Sequence, residues 1–123
     1  MSNQIVTPAQ IEKRLYDLSK DIDDAHEDLT DDERTYHTVK TMYEIGMAKS
    51  RMEFAAKSAP NGKNYTVQER EDMALIANEA AFTQLNIVEA RVKASRANVN
   101  RIKTQVEIAR SIGTSVRTSL DLT

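Results

Sequence analysis

The residues most able to do chemistry are four cations spaced seven apart, Arg96, Lys103, Arg110 and Arg117. On an α-helix this spacing places all four on one side, as a basic stripe about 30 Å long. Such a row of charges suits contact with a phosphate backbone, with an affinity that falls as salt rises. We refer to these four residues as the basic stripe.

A different interpretation of the stripe is interhelical pairing. Lys and Arg at the edge of a helical seam commonly form salt bridges with carboxylates on a neighbouring helix. The first part of the chain offers partners, namely Asp17, Asp21, Asp24, Glu27 and Asp28. From the residues alone, structural pairing is the favoured interpretation and contact with a polyanion is the alternative.

A second group of cations occurs in the middle of the chain, beside aromatic residues. It consists of Lys40, Lys49, Arg51, Lys57 and Lys63, with Phe54, Tyr36, Tyr43 and Tyr65 close in sequence. Cations next to aromatic rings suit single-stranded nucleic acid, because bases stack while phosphates pair with charge. The favoured interpretation without further information is that the aromatics belong to the core and the lysines are solvated.

Catalytic and metal-binding patterns are weak in this sequence. There are no cysteines, which excludes disulfides, thiol nucleophiles and thiolate metal sites. His26 lies among Asp23, Asp24 and Glu27, a set that we interpret as a solvated charged face rather than a metal site. We find no phosphate-binding loop, nucleophile elbow or zinc motif. The sequence therefore predicts a protein that is not an enzyme and needs no cofactor.

The net charge of −2 hides a division along the chain. Residues 1–35 hold ten acidic and four basic residues, whereas residues 36–123 hold nine acidic and thirteen basic ones. The segment that contains the basic stripe, 85–117, has seven basic residues against two acidic. An asymmetry of this kind favours an anion-binding face on the second part of the chain.

The elements that must position these residues are helices. With 3 Gly, 2 Pro and 40% hydrophobic residues in 123, the chain is typical of an all-α protein. Thr7-Pro8 and the Thr30/Glu33 and Thr66/Glu69 capping pairs mark helix starts, and Pro60-Asn61-Gly62 marks a turn. We predict a single helical domain over 1–123, with an acidic helix at 7–29, a helix at 30–58, a loop at 59–65 and a long basic helix at 66–118.

The long basic helix carries a heptad-like seam that begins at Leu85, counted here as position a. A helix of about 50 residues extends roughly 75 Å, more than two shorter helices of one chain can cover. We therefore expect an elongated helical hairpin or three-helix subunit whose long C-terminal, coiled-coil-like helix packs on other copies. The residues assigned to oligomerisation are Val88, Val92, Val99, Ile102, Val106, Ala109 and Val116.

The segment before the loop reads Ala-Lys-Ser-Arg-Met-Glu-Phe-Ala-Ala-Lys over 48–57, and the last helix ends Ile-Ala-Arg-Ser-Ile-Gly over 108–113. This order of acidic helix, basic helix, Gly-containing loop and long basic helix resembles the UvsY-like recombination mediators of tailed phages. The resemblance covers about 44–117. It departs from the family in the C-terminal helix, which has few aromatics here, and this leaves the ring size open.

The resemblance implies an all-α protein that forms rings of six or seven copies and binds single-stranded DNA. Such mediators help a RecA-like recombinase to displace single-strand-binding protein. The family's Lys-x-Arg pair, implicated in DNA binding, falls on Lys49 and Arg51. We accordingly assign DNA binding to Lys49, Arg51, Lys57 and Lys63 together with the basic stripe. The alternative is a coiled-coil structural or assembly adaptor of a phage that binds no nucleic acid.

The N-terminal residues lack the basic and apolar regions of a signal peptide, and no apolar run approaches a membrane span of about 18 residues. We therefore expect no membrane association and a cytoplasmic protein, in a phage-infected bacterial cell if the resemblance holds.

Overall fold

The computed structural model describes residues 6–122 and confirms the all-helical prediction. Its helices are α1 (Pro8–Ala55), α2 (Val67–Ala77) and α3 (Glu79–Asp121). The chain forms two compact units where the sequence predicts one domain. Unit 1 comprises Met1–Thr30 with Lys93–Thr123, and unit 2 comprises Asp31–Val92.

Helix α1 begins where the sequence predicts. The Thr7 hydroxyl accepts a hydrogen bond from the Gln10 backbone N–H at 3.2 Å, and the Gln10 side chain accepts one from Thr7 N–H at 2.9 Å. This reciprocal pair satisfies two backbone donors at the helix start. Pro8, which has no N–H to satisfy, opens the helix.

The predicted boundary between residues 29 and 30 is wrong, because α1 continues without a break to Ala55. The Thr30 hydroxyl donates to the His26 carbonyl at 2.9 Å, one turn back, instead of capping a new helix. No Gly or Pro lies between residues 9 and 45, so nothing in the backbone stops the helix there. A capping pair favours a helix start but cannot by itself end the helix before it.

The predicted turn lies where expected, within a connection that spans residues 56–66 and is longer than the predicted 59–65. Gly62 has a φ of +79°, the left-handed conformation that glycine adopts without strain. Hydrogen bonds from Ala59 N–H to the Lys63 carbonyl, at 2.8 Å, and from Gly62 N–H to the Ala59 carbonyl, at 2.9 Å, close the turn.

The single helix predicted over 66–118 is interrupted at Asn78, which separates α2 from α3. The predicted start is confirmed: Thr66 and Glu69 form a complete capping box. Asn78 has φ −111° and ψ 23°, outside the helical range. Its side-chain amide donates to the Ala74 carbonyl at 2.7 Å and the Ser50 hydroxyl at 2.9 Å, which stabilises the break.

The core of unit 1 lies along the seam between α1 and α3. Leu18 and Ala25 of α1 pack with Val99, Ile102 and Ala109 of α3, all of them buried. A Cβ added to Gly113 would lie 3.2 Å from the Ile11 side chain, so the end of α3 approaches the start of α1 closely. The two helices of this unit therefore run antiparallel.

This core changes the role of the residues assigned to oligomerisation. In unit 1, Val99, Ile102 and Ala109 are buried in the chain's own core, and Val106 and Val116 are half-buried. In unit 2, Val88 and Val92 are also buried. The seam of α3 is covered within the chain, because α1 continues past Thr30 and supplies a partner segment in each unit. The expectation that this seam remains open for other copies is corrected.

Candidate nucleic-acid interface

The four residues of the basic stripe lie on α3 within unit 1, and all four side chains are exposed. In the register that places Val99 and Val106 at core positions, the stripe occupies position e, beside the core. One heptad of helix rises about 10.5 Å, so the charges recur at that interval. The structure thus brings these four sequence-predicted residues together as one exposed row.

Three members of the stripe are unpaired within the described residues. Lys103, Arg110 and Arg117 form no ion pair there, and Arg96 makes a contact within the protein. The acidic residues expected as their partners are exposed and form no ion pair with them: Asp17, Asp21, Asp24, Glu27 and Asp28. Interhelical pairing, the interpretation favoured from the residues alone, is therefore wrong for these three cations.

The reason lies in the register of the two antiparallel helices. With Leu15 and Ile22 as core positions of α1, the e positions that flank the stripe hold Glu12, Ser19 and His26. In an antiparallel pair, e positions face e positions. Ser19 and His26 offer no carboxylate, and Glu12 lines the same cavity as Arg117 without forming an ion pair. The acidic residues lie at other positions of α1.

The structure does not bring Lys49 and Arg51 together. Residues two apart on a helix point about 200° away from one another. Arg51 Nε donates to Glu71 Oε1 of α2 at 2.7 Å, whereas Lys49 is exposed and forms no ion pair within the described residues. Glu71 is a partner that sequence reasoning missed, because a contact between residues 20 positions apart across a loop has no local signal.

Lys57 and Lys63 are both exposed and lie at the end of α1 and in the following connection. Lys57 bonds to Glu53 at 2.9 Å and lies over the Phe54 ring, 5.5 Å from its centroid. Lys57 therefore has a carboxylate partner one turn away on its own helix. Lys63 forms no ion pair with any of the described residues.

The aromatic residues of unit 2 are divided between packing and local contacts. Tyr43 packs on Phe82 with ring centroids 5.8 Å apart, and Tyr36 contacts the ring of His37 at 5.4 Å. In unit 1 the exposed Tyr16 lies under the ammonium of Lys20, at 4.7 Å. No aromatic residue belongs to the stripe's segment 96–117. The stripe therefore offers charge without a stacking platform.

Among residues 6–122, no group of three or more His, Cys, Asp and Glu side chains is placed to hold a metal ion. Within the same range, no helix has the length and apolar character needed to cross a bilayer.

Comparison of the chain with protein-family models, with curated proteins and with solved structures finds no match.

Proposed function

We propose that this protein binds single-stranded DNA through the basic stripe of α3 and acts as a recombination mediator without enzymatic activity. The observation that carries the proposal is the state of Lys103, Arg110 and Arg117. They recur at heptad spacing, are exposed, and form no ion pair within the described residues. Cations kept in line and unneutralised have their full charge available for phosphates.

The chemistry of the stripe favours contact with the backbone over reading of bases. Lys and Arg side chains position a phosphate backbone, whereas sequence is read by groups that reach base edges or stack on bases. With no aromatic residue between Arg96 and Arg117, we expect binding that tolerates any sequence and has modest affinity. Several such sites in one assembly would gain affinity through effective concentration.

The mediator role rests on the resemblance to UvsY-like proteins. By that resemblance the partners are a RecA-like recombinase, single-strand-binding protein and further copies in a ring of six or seven. The same resemblance places the protein in the cytoplasm of a phage-infected bacterial cell. The resemblance also assigns DNA contact to Lys49, Arg51, Lys57 and Lys63 of unit 2, which lie apart rather than in one row, and of which Arg51 and Lys57 have carboxylate partners.

Two assays test the proposal at its two levels. Fluorescence anisotropy with labelled oligo-dT tests DNA binding. Saturable binding at about 50 mM salt supports the proposal, and the absence of binding at that salt overturns it. For the mediator role, a RecA-like recombinase is added to DNA covered with single-strand-binding protein, and its DNA-dependent ATPase is followed. Faster onset with this protein supports the role, and an unchanged lag contradicts it.

A further inference from the structure

The side of α1 that faces away from the core of unit 2 carries a second heptad series. Its members alternate steps of three and four and all are exposed: Thr38, Thr41, Ile45, Ala48, Met52 and Ala55. We call these six residues the outer seam. Ile45 is 50% and Met52 75% exposed, and Met42, beside them, is 67% exposed. An uncharged series at this spacing is typical of a helix that packs against another helix.

The outer seam has definite ends. The preceding heptad positions are occupied by Asp31 and Arg34, which form an ion pair with each other at 3.6 Å, and α1 ends at Ala55. Between these limits the seam covers 18 residues, or about 26 Å of helix. Its charge-free stretch is therefore confined to unit 2.

The polar members of the outer seam are ready for burial. The Thr38 hydroxyl donates to the Arg34 carbonyl at 3.1 Å, and the Thr41 hydroxyl donates to the His37 carbonyl at 2.9 Å. Each donor is satisfied by its own helix, so covering the seam leaves no hydroxyl hydrogen without an acceptor. This avoids the free-energy cost that an unsatisfied buried polar group carries.

The charges beside the outer seam identify its occupant. With Ile45 and Met52 at position a, Glu44 lies at position g and Lys49 at position e of the next heptad. In a parallel coiled coil these two positions of neighbouring helices face each other, and their charges set partner and orientation. Glu44 and Lys49 form no ion pair within the described residues. The two are therefore complementary between two copies of this chain.

An antiparallel arrangement fits less well. Positions g would then face each other, and Glu44 would need Arg51 as its partner. Arg51 is already held by Glu71 at 2.7 Å. The parallel arrangement uses the two charges that have no partner and leaves that bridge intact.

We infer that the outer seam of α1 is a self-association surface, on which a second copy of this chain packs in parallel register. The interface pairs Ile45 with Ile45 and places Glu44 of each copy against Lys49 of the other. Five turns of helix form a short contact, so we expect a weak association that is detected only at high protein concentration. This inference is independent of DNA binding by the stripe, and it gives Lys49 a role in the interface instead of the DNA contact that the resemblance assigns to it.

A single introduced cysteine tests the register, since the chain has none of its own. Ile45→Cys places the two sulfurs at facing a positions, so we expect a disulfide-linked dimer in a glutathione buffer. Lys40→Cys, exposed and on the flank of α1 away from the seam, is the matched control and stays monomeric. Equal yields of linked dimer for the two variants overturn the inference.

Sedimentation velocity on the unmodified chain tests the association itself, from about 1 to about 200 µM. Ile45→Glu should raise the dissociation constant by about tenfold or more, because the carboxylates would be buried without partners. Glu44→Lys should also favour the monomer, and Glu44→Lys with Lys49→Glu should restore the dimer. Helicity by circular dichroism verifies that each variant folds. A monomer at all concentrations overturns the inference. A dimer whose dissociation constant is unchanged by Ile45→Glu also overturns it. Binding of another helical protein to this face would not rescue it in either case.

Discussion

The side-chain amide of Asn78 donates a 2.9 Å hydrogen bond to the hydroxyl of Ser50, and this contact joins α1 to the break between α2 and α3. The same amide reaches the Gly46 carbonyl at 3.4 Å. A Cβ added to Gly46 would lie 2.5 Å from Asn78 Oδ1, closer than side chains tolerate. Gly46 therefore leaves the space that the Asn78 amide occupies, and a side chain at this position would require that amide to move.

Gly46→Ala should lower the free energy of unfolding by about 1–2 kcal/mol. Alanine gains about 1 kcal/mol in helix propensity, but the clash, or the loss of the Asn78 hydrogen bonds, costs more. Urea denaturation followed by circular dichroism measures the change. In an Asn78→Ala background the same substitution should become stabilising. A Gly46→Ala variant more stable than the original protein contradicts this account of the contact.

Ile102→Ala should destabilise the protein by about 2–4 kcal/mol, because it opens a cavity in the α1–α3 core of unit 1. Since this core lies within one chain, the loss should be the same at every protein concentration. Denaturation midpoints measured over a hundredfold range of concentration check this. If the difference in midpoint between the original protein and the variant grows with dilution, Ile102 packs between copies of the chain and not within one chain.

How far the sequence predicts this fold depends on which signals are local. The cap at Thr66, the turn at Gly62 and the seam of α3 all follow from residue types and spacing. The continuity of α1 through Thr30 does not follow in this way. Thr30 and Glu33 have the spacing of a helix start, but no residue before them ends the helix, so α1 continues through them. The break at Asn78 depends on Ser50 and Gly46, which are distant in the sequence, so no window of residues reveals it.

The candidate site is also predictable only in part, because some of its properties are local and others depend on a distant segment. Heptad spacing alone places Arg96, Lys103, Arg110 and Arg117 on one face. Whether those charges are neutralised depends on the register of the opposite helix, which sets Ser19 and His26 against them. That register follows from the antiparallel arrangement of α1 and α3 in unit 1, which the spacing of residues on one helix does not encode.

Replacing Lys49 and Arg51 by Ala tests the pair that the family resemblance assigns to DNA. Arg51→Ala removes the bridge to Glu71, whose side chain is 42% exposed, and should cost at most about 1 kcal/mol of stability. Lys49→Ala should leave stability unchanged. If the stripe carries most of the binding, the double variant should keep its affinity for oligo-dT within about threefold. A loss of binding comparable to that caused by replacing Lys103, Arg110 and Arg117 with Ala would place the main site in unit 2.

The central claim is that Lys103, Arg110 and Arg117 bind the phosphate backbone. It is tested most directly by the slope of log affinity against log salt for labelled oligo-dT, measured by anisotropy. Replacing all three by Ala should weaken binding and reduce the magnitude of the slope by about 2, since each phosphate contact on a single strand contributes about 0.7.

The matched control carries Lys13→Ala, Arg14→Ala and Lys20→Ala, three exposed cations of α1 in the same unit. It changes the net charge equally and should reduce the slope far less. The two triple variants should therefore differ in slope. Equal slopes in both would contradict it, because binding would then depend on net charge alone and not on the basic stripe.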